Sequence, residues 1–257
     1  MAHRQSALCP DGRSDVTDSH NNDLARRFAD ATCVLFDFDG PVCHLFDGHP
    51  AREVAAELRG WAARNMPGGV SVPPEFADDP LALLRAAARS HPGSPLVGQM
   101  ERHLAAQEEL ATLTAAPTEG ADRLIGRLSA AGFRLAVTTN NCAEAARSYL
   151  DRTGLAVFFG EHIHGREPDP LLMKPDPDCL RRALRSTGST EAEALMIGDS
   201  PADCLAAHTL GVPFLGYARN ESKRLQLSDA GAKVIVATMS ELLPVLDDLP
   251  SGLPVPE

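Results

Sequence analysis

No run of apolar residues in this 257-residue chain approaches the length needed to cross a bilayer, and residues 1–30 lack the continuous apolar core of a secretory signal. A soluble, cytoplasmic protein is therefore expected. The six cysteines, Cys9, Cys33, Cys43, Cys142, Cys179 and Cys204, contain no C-x-x-C pair and no tight Cys/His spacing, so they read as reduced, mostly buried thiols. Positive charge is also scarce: 24 Lys and Arg stand against 35 Asp and Glu, a net charge of -11. Because phosphate neutralisation by basic side chains supplies most affinity for nucleic acid, that balance argues against a nucleic-acid partner and leaves a small ligand. Lysine is the rarest charged residue, with Lys174, Lys223 and Lys233 the complete set. There is no internal repeat and no low-complexity tract.

What is present is enough apolar residue, 44%, to fill one sizeable domain with a smaller insert. Residues 1–23 are polar and aperiodic and read as a flexible tail. The run Cys33-Val34-Leu35-Phe36 reads as a buried strand ending at Asp37 and Asp39, with a turn at Gly40-Pro41. Three stretches then carry apolar residues at helical spacing: 51–64, 81–89 and 96–113, with a Gly/Pro-rich loop at 66–80 between the first two. From residue 119 helix and strand alternate: helices at 121–131, 143–151, 177–186 and 202–210, strands at 134–138, 157–159, 194–197 and 213–216, and a last pair near Val234. That alternation predicts an α/β protein, a doubly wound parallel sheet covered on both faces. The helical block at 47–113 interrupts it and reads as an inserted cap on a core formed by 24–46 and 114–257.

An open parallel sheet binds ligands outside the carboxyl ends of its strands, and four such places carry polar groups. They are Asp37 with Asp39, Thr139 with Asn140, Lys174 within Met-Lys-Pro-Asp-Pro, and Asp199 with Ser200 and Asp203 within Gly-Asp-Ser-Pro-Ala-Asp. Each alone has a bland reading: Asp-x-Asp as a solvated turn, Gly-Asp-Ser as a helix cap. Together, with DFDGPV at 37–42, TN at 139–140, KPDP at 174–177 and GDSPAD at 198–203, the chain resembles the haloacid dehalogenase superfamily, over residues 32 to about 240. The resemblance implies a Rossmann-like core with a small helical cap and a Mg2+-dependent phosphatase acting on a small phosphorylated metabolite, as a monomer or homodimer.

The roles that resemblance implies agree with what phosphoryl transfer demands: a cation, donors for the phosphate oxygens, an in-line nucleophile and a proton source. Asp37 would be the nucleophile and Asp39 the general acid, later the base. Asp199, with the Asp37 carboxylate and the Asp39 main-chain carbonyl, would ligate Mg2+, and Asp203 would be a weaker ligand or stand behind the others. Thr139 and the Asn140 amide would hold phosphate oxygens at a helix N-terminus, and Lys174 would bridge nucleophile and phosphate. His44, His49 and Arg52, with Asp47 and the 66–80 loop, are the candidates for contact with the rest of the substrate. His162 and His164 alternate along a short segment but lack a third ligand, and read as satisfied histidines.

Within the superfamily, Asp39 favours expulsion of an alkoxide over a halide, since only the former benefits from a proton. The lysine-free cap disfavours chemistry through a cap-lysine Schiff base. Phosphosugar mutases, which share the cap and the four motifs, are the alternative reading. A non-catalytic phospho-ligand-binding protein is the reading from another class, against which stands the presence of Asp37, Asp39, Lys174 and Asp199 together.

Overall fold

The computed structural model describes residues 23–247, so the expected tail at 1–23 lies outside it except for its last residue. A helix over residues 23–29 (α1) precedes the central strand β1 (Cys33–Phe36). A small antiparallel pair, β2 (Cys43–His44) and β3 (Ala116–Pro117), joins the two chain crossings into and out of a helical block. That block contains α2 (Ala51–Asn65), α3 (Pro80–Ser90) and α4 (Pro95–Thr112). Then follow α5 (Ala121–Ala130), β4 (Arg134–Thr138), α6 (Ala143–Thr153), α7 (Ala156–Phe159) and β5 (Ile163–His164). The chain continues with α8 (Asp178–Thr187), β6 (Ala194–Gly198), α9 (Pro201–Leu210), β7 (Phe214–Tyr217), α10 (Glu221–Asp229), β8 (Ile235–Val236) and α11 (Leu243–Asp247).

The main sheet has six strands in the order β5-β4-β1-β6-β7-β8, and every pairing in it is parallel. The chain builds outward from β1 to one side, then crosses back and builds to the other, which opens a crevice beyond the carboxyl end of β1. Side chains of β1 alternate as a pleat requires. Val34 and Phe36 enter the apolar layer that also holds Leu124, Tyr149 and Phe159, while Cys33 and Leu35 enter the opposite layer with Leu180 and Met196. The helical block has a cluster of its own, including Val54, Leu58, Leu83, Leu84, Met100 and Leu104.

Two sequence expectations are corrected. Residues 157–159 are helical, not a strand: Phe159 is buried but Val157 is 80% exposed, and Gly160, at φ +54°, closes the turn. An apolar run this short carries no period by which to tell helix from strand. The strand that pairs with β4 is Ile163–His164, opposite Val137 and Thr138. Lys174 lies on a loop ten residues beyond it, after a 3-10 turn at Pro170–Leu172, rather than at a strand end. Cys33, Cys43, Cys142, Cys179 and Cys204 are all free and buried. No helix among the described residues is long and apolar enough to cross a membrane.

Candidate active site

Asp37 continues the β1 ladder by one residue, its amide donating to the Ile197 carbonyl at 2.9 Å, so its carboxylate emerges where the sheet ends. Lys174 meets it there. The ammonium donates to Asp37 Oδ1 and to the Thr138 carbonyl, each at 2.8 Å, and lies 2.5 Å from Asp203 Oδ1. The whole lysine is 1% exposed. Burial works against its charge, but Asp203 and Asp37 more than offset this and hold it firmly protonated, above the ordinary lysine range.

Asp203 belongs to the first turn of α9. Its Oδ2 accepts from the Asp199 and Ser200 amides and the Ser200 hydroxyl, at 3.2, 3.0 and 2.7 Å, as expected of a helix capping box. Its buried Oδ1 lies against the Lys174 ammonium, which is its counter-ion. Asp199 is held from the other side by Lys223, whose Nζ is 2.7 Å from Oδ2. Carboxylate oxygens of Asp37, Asp199 and Asp203 lie within 4.8 Å of one another. Gly40 lets Asp199 come this close: it sits at φ +122°, and a Cβ there would be 2.5 Å from Asp199 Cγ.

Four carboxylates, counting Asp39, therefore face two ammonium groups at the end of the sheet, with Arg219 on the wall of the adjoining cavity. Burial, then repulsion from Asp203, pushes the Asp37 carboxyl well up; burial raises Asp199 as well. Asp39 is pushed up to about 6 by burial and by Asp199. The three clustered carboxylates, Asp37, Asp199 and Asp203, form an all-oxygen set that fits a small hard divalent cation. Asp39 is not one of the clustered carboxylates. Its Oδ1 accepts from the Leu45 amide at 2.9 Å and it faces a cavity of about 680 Å³, lined also by His44, Asp47, Arg52, Asp78, Asp199, Arg219 and Lys223.

Thr139 is buried, its hydroxyl turned to the Asn141 side chain and amide, each at 3.1 Å. Asn140 serves Lys174 rather than the pocket with its side chain: Oδ1 accepts from the Lys174 amide at 2.7 Å and Nδ2 donates to the Lys174 carbonyl at 3.1 Å. Its own main-chain N–H has no acceptor among the described residues, which leaves it available to an anion. His44 and Arg52 line the cavity, and burial depresses the His44 pKa. His49 does not: its ring is taken by Gln107 at 2.7 Å. His162 and His164 both turn to the Ser186 hydroxyl, at 3.0 and 2.7 Å, and form no metal pair.

Residues 31–211 match the haloacid dehalogenase-like hydrolase family. The chain belongs to the haloacid dehalogenase-like hydrolases. It is 35% identical over 203 residues to a phosphoglycolate phosphatase of Rhodospirillum rubrum, covering 72% of this chain and 80% of that one. It is 33% identical over 104 residues to the pyrophosphatase PpaX of Halalkalibacterium halodurans, 40% and 47% of the two chains. The fold overlays a crystal structure of a predicted phosphatase from Clostridium acetobutylicum with a TM-score of 0.64 at 21% identity, covering 85% of this chain and 99% of that one. As a haloacid dehalogenase-like hydrolase the chain has features that the motifs do not announce. Lys223 and Arg219 come from the segment after β7, and the only hint of Lys223 was the scarcity of lysine, two of the three lysines being at this site.

Proposed function

We propose that this hydrolase is a Mg2+-dependent phosphatase that cleaves a small-molecule phosphate monoester through an aspartyl-phosphate on Asp37. The observation that carries the reading is the Asp37 carboxylate, held at 2.8 Å by a buried lysine and clustered with two further acids at the mouth of the sheet. Asp37 attacks phosphorus as the ester P–O bond breaks, and Asp39 gives its proton to the leaving oxygen. Asp39, now a base, takes a proton from the water that attacks the aspartyl-phosphate, restoring Asp37 and releasing inorganic phosphate. Lys174, with the Asn140 amide, balances the charge on the non-bridging oxygens. Asp37, Asp199 and Asp203, with the Asp39 carbonyl, would hold Mg2+, which supplies charge neutralisation when bound.

The cavity beside Asp39 is the place for the leaving group. Arg219 lines it and pairs with no carboxylate among the described residues, which suits a second anionic group on the substrate. Phosphoglycolate and pyrophosphate, the substrates in the relatives' names, each carry one.

Release of inorganic phosphate from a panel of phosphorylated metabolites, with Mg2+ and with chelator, tests the reading. Mg2+-dependent release, fastest on esters whose leaving group is itself anionic, is the expected result. Silence on every ester together with interconversion of phosphosugar isomers would replace it with the mutase reading.

Asp39→Asn should separate substrates by leaving group. The expected loss is about 10²–10⁴-fold on alkyl phosphates, as for removal of a general acid, and far less on activated aryl phosphates. Since the acid form of Asp39 thins out above pH about 6, wild-type kcat/KM on alkyl esters should fall on the alkaline side more steeply than on aryl esters. Equal losses and parallel profiles would remove Asp39 from that role.

A further inference from the structure

Arg166, on the loop after β5, takes no part in the chemistry above, yet its side chain and that of Glu108 are both wholly buried. The guanidinium forms a two-bond fork with Glu108, Nη1 to Oε1 at 2.9 Å and Nη2 to Oε2 at 3.0 Å. Glu101, two turns earlier on α4, accepts from Nη2 at 3.0 Å and from Nε at 3.3 Å. Glu108 reaches the start of α6 as well, accepting from Asn141 Nδ2 at 3.0 Å and the Cys142 amide at 2.9 Å. The chain approaches this closely only because residue 165 is glycine: a Cβ there would lie 2.4 Å from the Ala143 nitrogen.

The remaining reach of Arg166 is toward the site. Nη1 donates to the Asn140 carbonyl at 2.8 Å, and Asn140 is the residue whose side chain grips both the amide and the carbonyl of Lys174. Arg85 of α3 donates to the same Lys174 carbonyl at 2.6 Å. Two helices of the inserted block thus end on the main chain of one lysine, one directly and one through Arg166 and Asn140. A buried ion pair is weak support for stability, because desolvation consumes most of its attraction and apolar replacements are commonly neutral. Its bidentate geometry fixes orientation instead.

We propose that Glu108 and Arg166 are positioning residues: the pair sets the Asn140 carbonyl, and through the Asn140 side chain the Lys174 main chain, so that the inserted helices and the lysine beside Asp37 move as one unit. The proposal rests on the catalytic reading of Lys174. It assigns a role to residues with no contact to Asp37 and no place in the four motifs.

The test is Glu108→Gln, followed by hydrogen exchange and by kinetics on an activated aryl phosphate. Exchange is read without any activity, so it stands even if the catalytic reading fails. The Lys174 amide should exchange faster in the variant while the amides of β6 stay protected as in wild type. In the kinetics kcat should fall about tenfold to a hundredfold, the cost of misplacing a reacting group by an ångström or less. KM should change little, as for an interaction made in the transition state. In an Asn140→Ala background the same substitution should add less than about a twofold loss, because both act through one contact.

Unchanged exchange at Lys174, unchanged kcat, or losses that multiply in the double variant would each overturn the proposal. Should Glu108→Gln not fold, Arg166→Lys keeps the buried charge but loses the fork and carries the same expectations. Failure of both to fold would assign the pair to folding and overturn the positioning role.

Discussion

Asp37→Asn should lower turnover by at least about 10³-fold, the scale seen when a nucleophile is removed, and should leave the fold intact. The second half follows from the charges around it. Asp37 shares its surroundings with Asp203 and Asp199, and burial with their repulsion already pushes its carboxyl up, so a neutral amide relieves repulsion. Lys174 keeps Asp203 at 2.5 Å as its counter-ion. The thermal midpoint of the variant should therefore equal or exceed that of wild type while phosphate release is lost. A variant that retains substantial turnover at matched purity would sink the nucleophile assignment. A midpoint that falls steeply would show Asp37 to be structural.

Lys174→Met should do the opposite to stability. It strands Asp37 and Asp203 beside each other, both buried, without the cation that balances them. Breaking a buried pair in this way costs about 3–5 kcal/mol, which for a chain of this size lowers the midpoint by roughly 10 °C. Activity should be lost as well. The deficit should shrink as pH falls. The Asp37 carboxyl is already raised in the folded protein and would rise further without Lys174, so the folded state binds protons more tightly than the unfolded one and gains stability on acidification. Added Mg2+ should raise the midpoint of the variant more than that of wild type, since the cation takes over part of the missing charge. A variant as stable as wild type at neutral pH, indifferent to Mg2+, would mean that the acids are not charged together.

Most of the sheet and the clustered acids were legible because they are written locally. An apolar run such as Cys33–Phe36 closing on Asp37 reads as a strand delivering a carboxylate, and a Ser-Pro-Ala-Asp run reads as the start of a helix with a capping acid. What failed was non-local or too short for a period. Residues 157–159 are helical although β-branched and aromatic, because the strand position beside β4 went to Ile163–His164. Asn140 was legible as a polar residue at the site, but not that its side chain would be claimed by a residue 34 positions away. Arg166, Glu108 and Lys223 are single charged residues on segments without a motif; only the folded path brings Arg166 to Glu108 and Lys223 to Asp199. His49 looked like His44 from the sequence and is separated from it by one partner, Gln107 on α4.

The place of β1 in the sheet also bears on how the chain acquires its activity. β1 is made first among the strands but lies between β4 and β6, and its last residue, Phe36, pairs with Val137 on one side and Ile197 on the other. A nascent chain emerging from the ribosome carries Asp37 long before Lys174 and Asp199 exist to compose the site. Contacts so distant along the chain form late and slowly. On the proposed mechanism, a truncated or stalled product carries the Asp37 carboxylate without Lys174 or Asp199 and should release no phosphate.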